Sequence, residues 1–274
     1  MHKKSKKHGK KKHIQSPIPA VKAVSQRKLV PLDEILERVY TKEDLSTVCL
    51  RQCTCCRVAC PQMKFCEASS LLDHIWANWS SEDKKALLVT CVHYFFSDSL
   101  LKPCPILNGN ECREYARRSL NCRLYGMWPQ DSWEERVEMF SKNTGLPRNK
   151  LPLNKQCPNV RRKKQICPEC KQDPKLVASC QKCNGTGMFQ PPPLTIDQIS
   201  KLFEDLDKAD KVLGVSDLKI STSWNYRTLH DWVLVKFWGE DALVKWTNIL
   251  LTTTPEQRQG LMEAFEEQVK NLEV

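Results

Sequence analysis

Two groups of cysteines supply most of the chemistry open to this chain. The first runs through Cys49, Cys53, Cys55 and Cys56, with Cys60 and Cys66 close behind, and Cys104, Cys112 and Cys122 follow further on. The second is Cys167, Cys170, Cys180 and Cys183. A thiolate is a soft ligand suited to zinc and to iron–sulfur clusters. In the second group, two Cys-x-x-Cys turns stand nine residues apart. Each turn supplies two sulfurs, and four sulfurs complete the closed tetrahedral shell of a structural zinc site. A closed shell leaves no position for substrate, so the role implied is structural or recognition. The first group holds more thiols than one zinc needs. Four could hold an iron–sulfur cluster while the others form a second site or pack. The expected ligands there are Cys49, Cys53, Cys55, Cys56, Cys104, Cys112 and Cys122. Roles for Cys60, Cys66 and Cys157 stay open, and Cys91 reads as a buried core thiol.

Composition bounds what surrounds these sites. Fifteen cysteines in 274 residues are many for a chain of this length. The lysine-rich start is followed by no apolar stretch of the secretory kind, so the expectation is a cytoplasmic protein with reduced thiols rather than disulfides. The apolar run from Leu87 to Phe96 is about half a membrane span, so no membrane partner is expected. Net charge is +11, unevenly spread. Residues 1–13 carry seven lysines and no acid; residues 146–194 carry ten basic and two acidic side chains. That distribution suits RNA, DNA or another polyanion as partner. Residues 195–274 are net acidic and lack cysteine.

The elements that must position the thiols read as mainly α. Residues 1–28 read as a disordered basic tail. Residues 29–147 read as a helical, metal-stabilised cysteine-cluster domain. Its helices are expected after Pro31 (Leu32, Ile35, Leu36, Val39), over Ala68–Asn78, from a Ser80/Asp83 cap to about Phe96, over Glu111–Leu120, and from Asp131 to Gly145. Between Cys49 and Cys66 a loop is expected. Residues 148–164 read as a basic linker and 165–190 as a small zinc knuckle module. Residues 194–274 read as an acidic helical domain, with capping boxes at Thr195/Gln198 and Thr254/Gln257. Trp224–Trp238 could be buried helix or strand.

Two family resemblances attach to these residues. Cys49, Cys55 and Cys56 fall in a Cys-x-x-Cys-x-x-Cys-Cys register in which Gln52 takes the second position and Cys53 follows one residue late. Downstream come Cys104-Pro105-Ile106-Leu107, then Cys112, Tyr115, Arg118, Cys122 and Arg123. Together, residues 49–129 resemble the YkgJ-type cysteine-cluster family, a zinc- or iron-chelating CxxCxxCC domain. The resemblance implies a bound metal centre, zinc or iron–sulfur; one branch of that family includes flagellin lysine-methylating enzymes. Cys180-Gln181-Lys182-Cys183-Asn184-Gly185-Thr186-Gly187 resembles one Cys-x-x-Cys-x-Gly-x-Gly repeat of the DnaJ-type chaperone zinc domain, with Cys167 and Cys170 as a plain knuckle before it.

No phosphate-binding glycine loop, His-Glu-x-x-His motif or nucleophile elbow is present, and no catalytic residue is legible. Arg118 and Arg123 could serve cluster sulfurs or an anionic substrate, or pair with acids such as Glu111 and Glu114. The sequence thus reads as a metal-binding cysteine-cluster protein, with the question of catalysis open. The alternative is a nucleic-acid-associated zinc protein using its basic tail and knuckle segment.

Overall fold

The computed structural model describes residues 32–41, 47–49, 54–98, 102–151, 160–162, 164–189, 194–213 and 226–273, with backbone alone for 47–49, 54, 58, 144, 160–162, 212 and 226. The expected tail at 1–28 lies outside the described residues, as does much of the linker.

Described residues are mainly helical. In chain order the elements are α1 (Leu32–Thr41), β1 (Thr47–Cys49), α2 (Thr54–Val58), β2 (Gln62–Lys64), α3 (Phe65–Asn78), α4 (Ser81–Phe96), β3 (Leu107–Asn108), β4 (Glu111–Cys112), α5 (Leu120–Leu124), α6 (Gln130–Thr144), β5 (Val160–Arg162), β6 (Gln165–Ile166), α7 (Pro174–Val177), β7 (Met188–Phe189), α8 (Ile196–Val212), β8 (Tyr226–Thr228), α9 (Leu229–Trp238), α10 (Glu240–Thr252) and α11 (Pro255–Lys270). Short 3-10 turns lie at Tyr115–Arg117 and Arg148–Lys150. Four of the longer helices start at hydroxyl caps. Ser80 accepts from the Asp83 N–H, Thr195 from Gln198, Thr228 from Asp231 and Thr254 from Gln257. Each such cap satisfies a backbone donor that a helix start leaves orphaned.

The strands are short and pair antiparallel in twos: β1 with β5, β2 with β8, β3 with β4, and β6 with β7. The β2–β8 pair sets Met63 opposite Arg227 and so joins the first cysteine region to the C-terminal segment. Helices then share cores across the same divide. Leu71, Leu72 and Ile75 of α3 and Leu88, Val92 and Phe96 of α4 pack with Trp232, Val233, Trp246 and Phe265. A second core joins Leu36 and Val39 of α1 and Leu120 and Leu124 of α5 to Ile199, Leu202 and Leu206 of α8. Segments 29–147 and 194–274, read from sequence as separate units, therefore bury their apolar faces against each other.

A buried carboxylate organises the start of α3. Glu67 is 4% exposed. It accepts from the Tyr40 hydroxyl at 2.8 Å, the Lys64 N–H at 3.0 Å and the Leu120 N–H at 2.5 Å. It thereby ties α1, α3 and α5 together. Asp210 of α8 adds a second carboxylate, accepting from the Cys66 N–H at 2.7 Å. Both sit where a helix N-terminus favours negative charge. Burial pushes both carboxyls up from their ordinary values, against the pull of these donors.

Three local expectations change. Glu111–Leu120 is not a helix: β4, a 3-10 turn and an extended Arg118–Ser119 occupy it, and α5 starts only at Leu120. The Asn108-Gly109 turn closes a β3–β4 hairpin, with Gly109 at φ +57, and the strand pairing extends across Cys112. The expected loop before Cys66 contains α2 and β2. Trp224–Trp238 resolves into both alternatives, since the described part is strand up to Thr228 and helix after it.

Shared cores have a measurable consequence. Trp232 is 2% exposed and donates its indole N–H to the Met63 carbonyl at 2.9 Å. Trp232→Ala is expected to cost about 3–5 kcal/mol in urea unfolding and to move a single transition rather than a C-terminal one alone. Acid sensitivity follows from His230, whose Nε2–H donates to the Pro103 carbonyl at 3.0 Å. Burial holds its pKa down at about 4, against an ordinary 6.5. The unfolded chain then binds more protons between these values, so stability falls as pH drops from about 6.5 towards 4. In His230→Gln the urea midpoint is expected to vary less over that window than in the parent.

Candidate metal centres

The second cysteine group comes together as a knuckle. The sulfurs of Cys167, Cys170, Cys180 and Cys183 all lie within 4.8 Å of one another. Cys167 and Cys180 are 3.6 Å apart, and Cys170 and Cys183 are 3.8 Å apart. A tetrahedron with Zn–S bonds of 2.3 Å has edges of about 3.8 Å, so spacing and donor set both fit one tetrathiolate metal ion.

Local backbone chemistry builds this geometry. β6 and β7 pair at the base, and the Cys167 N–H bonds the Gly187 carbonyl at 2.9 Å. In the first turn the Lys171 N–H reaches back to the Cys167 carbonyl at 2.8 Å, and Lys171 and Gln172 take φ of +47 and +63. In the second, the Gly185 N–H reaches the Cys180 carbonyl at 3.2 Å, with Asn184 and Gly185 at φ +48 and +75. Glycine and asparagine tolerate this left-handed backbone best. Gly187, at φ +70, turns its N–H onto the Cys183 sulfur at 3.3 Å. Burial pushes the Cys183 thiol up, but that N–H and the neighbouring thiols outweigh it and hold the pKa at about 7. Burial pushes Cys170 up to about 12. Four thiols at this spacing repel once ionised, a cost that a cation among them removes.

The first group converges from separate elements. Cys55 and Cys56 on α2 have sulfurs 3.8 Å apart. The Cys104 N–H donates to the Cys56 carbonyl at 2.7 Å, and the Cys104 thiol pairs with Cys60. Cys122 on α5 accepts from the Ser119 hydroxyl at 3.4 Å and lies within electrostatic reach of Cys55, Cys104 and Cys112. Of the neighbouring pair, Cys55 ionises first. Its bond with Cys56 lowers it to about 7, assisted by the charge of Arg118, while Cys56 is pushed up by Cys55 and by burial. Burial also pushes Cys122 up. Of the expected ligands, Cys55, Cys56, Cys104, Cys112 and Cys122 thus lie in one region, but among the described residues only the knuckle brings three or more sulfurs within 4.8 Å of one another. The side chains of Cys49 and Cys53, and all of Cys157, lie outside the described residues.

Cysteines without an assigned role divide by position. Cys60 joins the first group through Cys104, a partnership that no sequence spacing reveals. Cys66 lies apart in the α1–α8 core, its thiol directed to the Leu206 carbonyl at 3.7 Å. Cys91 is fully buried in the main core, as expected of a packing thiol. The two arginines meet aromatic rings and carbonyls rather than the acids. Arg118 stacks on Tyr115 at 3.7 Å, and Arg123 stacks on Tyr40 at 4.2 Å while donating to the Arg118 and Ala116 carbonyls. Neither forms an ion pair among the described residues; Glu114 instead accepts from the Trp79 indole at 2.7 Å.

Of the segments expected from sequence to meet RNA or DNA, the basic tail 1–28 and the side chains of Arg161, Arg162 and Lys163 lie outside the described residues. Among the described residues, no helix is long and apolar enough to cross a membrane. No family model matches the chain, and no curated protein or solved structure shows significant similarity to it.

Gly187 offers a test of the knuckle. A Cβ there would make ordinary contacts of 3.4–3.5 Å with Gln172 and Val177, so the cost of alanine is backbone strain of about 1–2 kcal/mol. Gly187→Ala is expected to weaken Co2+ binding about tenfold in competition with a chromophoric chelator. The thiolate-to-cobalt absorption of the saturated site should not change.

Proposed function

We propose that the protein binds metal at two thiol centres. The first is a structural zinc held by Cys167, Cys170, Cys180 and Cys183. The second is a zinc or iron–sulfur centre drawn from Cys55, Cys56, Cys60, Cys104, Cys112 and Cys122, to which the sequence adds Cys49 and Cys53. The observation that carries the reading is the sulfur spacing of the knuckle, which matches a tetrahedral tetrathiolate. Its small buried cluster consists of Cys167, Cys170 and Cys183, with Val177 and Phe189 against it. So few apolar groups cannot offset the entropy of ordering the segment, and four metal–sulfur bonds can.

The second centre accords with the resemblance of residues 49–129 to the YkgJ-type family. Its thiols come from α2, the segment before α3, the β3–β4 region and α5, so a metal there would cross-link the first region. An iron–sulfur cluster would supply electron transfer or a Lewis-acidic iron; the residues in place would hold it and shield it from water. A reducing, cytoplasmic setting suits both centres.

Metal and acid-labile sulfide analysis of protein purified without oxygen tests this. The expected result is one zinc per chain that Cys170→Ser removes, together with a second metal content that Cys170→Ser leaves and Cys104→Ser abolishes. A chain containing no metal that survives gel filtration would overturn the reading at both sites. Colourless protein with zinc alone would remove the iron–sulfur form and leave the zinc form.

A further inference from the structure

Beside the first thiol group lies a cavity of about 210 Å³. Cys55, Cys56 and Cys122 form part of its wall; Trp128, Trp133 and Phe140 form another part. Three features separate it from a packing remainder. The first is size. An apolar cavity of about 150 Å³ admits benzene, and this one is larger.

The second feature is a cation set among the rings. Trp133, Arg136 and Phe140 sit at helical spacing on one face of α6. The Arg136 guanidinium lies 5.0 Å from the Trp128 ring centre and 5.9 Å from that of Phe140. Arg136 has no ion pair among the described residues. Two acids of α6, Glu134 and Glu138, face Arg148 instead. A guanidinium placed over rings and without an ion pair keeps its N–H fork for a planar oxyanion.

The third feature is an unsatisfied donor. Trp133 is 4% exposed, and its indole N–H is buried without an acceptor among the described residues. Buried donors are ordinarily paired, and an unpaired one calls for a partner. The Tyr125 ring packs edge-on against the Trp133 indole at 5.6 Å and so fixes its plane.

We propose that this cavity binds a single-ring aromatic carboxylate, its ring among Trp128, Trp133 and Phe140 and its carboxylate on Arg136. The bound molecule then lies against the first thiol group. Apolar walls supply the driving force for ring burial, while one convergent cation sets orientation and selects the anion. The proposal rests on the cavity and on Arg136.

Benzoate is the probe, titrated into the full chain as purified, with its own metal content. Indole N–H signals of the nitrogen-15-labelled protein are followed, and the Trp133 signal is identified from Trp133→Phe. Expected are saturable shifts of the Trp128 and Trp133 signals with a Kd of about 1 mM or tighter. Neutral benzamide should bind at least tenfold more weakly. Arg136→Gln should lower benzoate affinity by at least tenfold, and Arg136→Lys should lie between. If the glutamine variant does not fold, the benzoate–benzamide comparison on the parent decides. Absence of saturation, equal binding of the two probes, or undiminished binding by a folded Arg136→Gln each overturns the proposal.

Discussion

The Glu67 carboxylate must find its partners inside the protein, and the first half of the fold is arranged to provide them. Stripping water from a carboxylate costs several kcal/mol unless hydrogen bonds replace it. Here the replacements are the Tyr40 hydroxyl and the N–H groups of Lys64 and Leu120. One side chain thereby caps the helix it belongs to, receives α1, and places the start of α5. Since α5 carries Cys122 and the segment preceding α3 carries Cys60, the same carboxylate sets two parts of the first thiol group in relation to each other. Asp210 does for α8 what Glu67 does for α5, by bringing a second carboxylate to the start of α3.

The C-terminal helices complete this scaffold. The β2–β8 pair and the Trp232 indole on the Met63 carbonyl fix α9 against the chain that leads out of the first thiol group. His230 on the same helix holds the Pro103 carbonyl, one residue before Cys104. The cysteines are therefore positioned mainly by groups that are not ligands. The knuckle is the opposite case. Its turns, left-handed residues and sulfurs lie within one short hairpin, and its geometry needs little from the rest of the molecule.

Legibility followed that difference in range. The knuckle was readable because the cysteine spacing, Asn184, Gly185 and Gly187 all act within one or two turns of chain. Helices α4, α8 and α11 were readable for the same reason, from their hydroxyl caps and apolar faces. The misreading at Glu111–Leu120 has a local cause: the Asn108-Gly109 turn was visible, but the pairing it imposes on Glu111 and Cys112 takes backbone hydrogen bonds that a helix would need. The pairing of Arg118 and Arg123 with acids was not met because their partners are aromatic faces and carbonyls, and Tyr40 is far away in sequence. The cavity escaped because Trp133, Arg136 and Phe140 look like an ordinary amphipathic face until Cys55 and Cys122 are set against it.

By itself the sequence determined the helical class, the capped starts of α4, α8 and α11 and the four-sulfur knuckle, since each depends on the properties of residues a few positions apart. Only the tertiary structure decided which other cysteines lie together, that Cys60 joins Cys104 while Cys66 lies in a separate core, that the N- and C-terminal segments share their interiors, and that a cavity with a guanidinium unpaired among the described residues lies beside the thiols. Those outcomes depend on pairing distant strands and burying distant faces together, and a side-chain pattern leaves such pairings degenerate until the whole chain is packed.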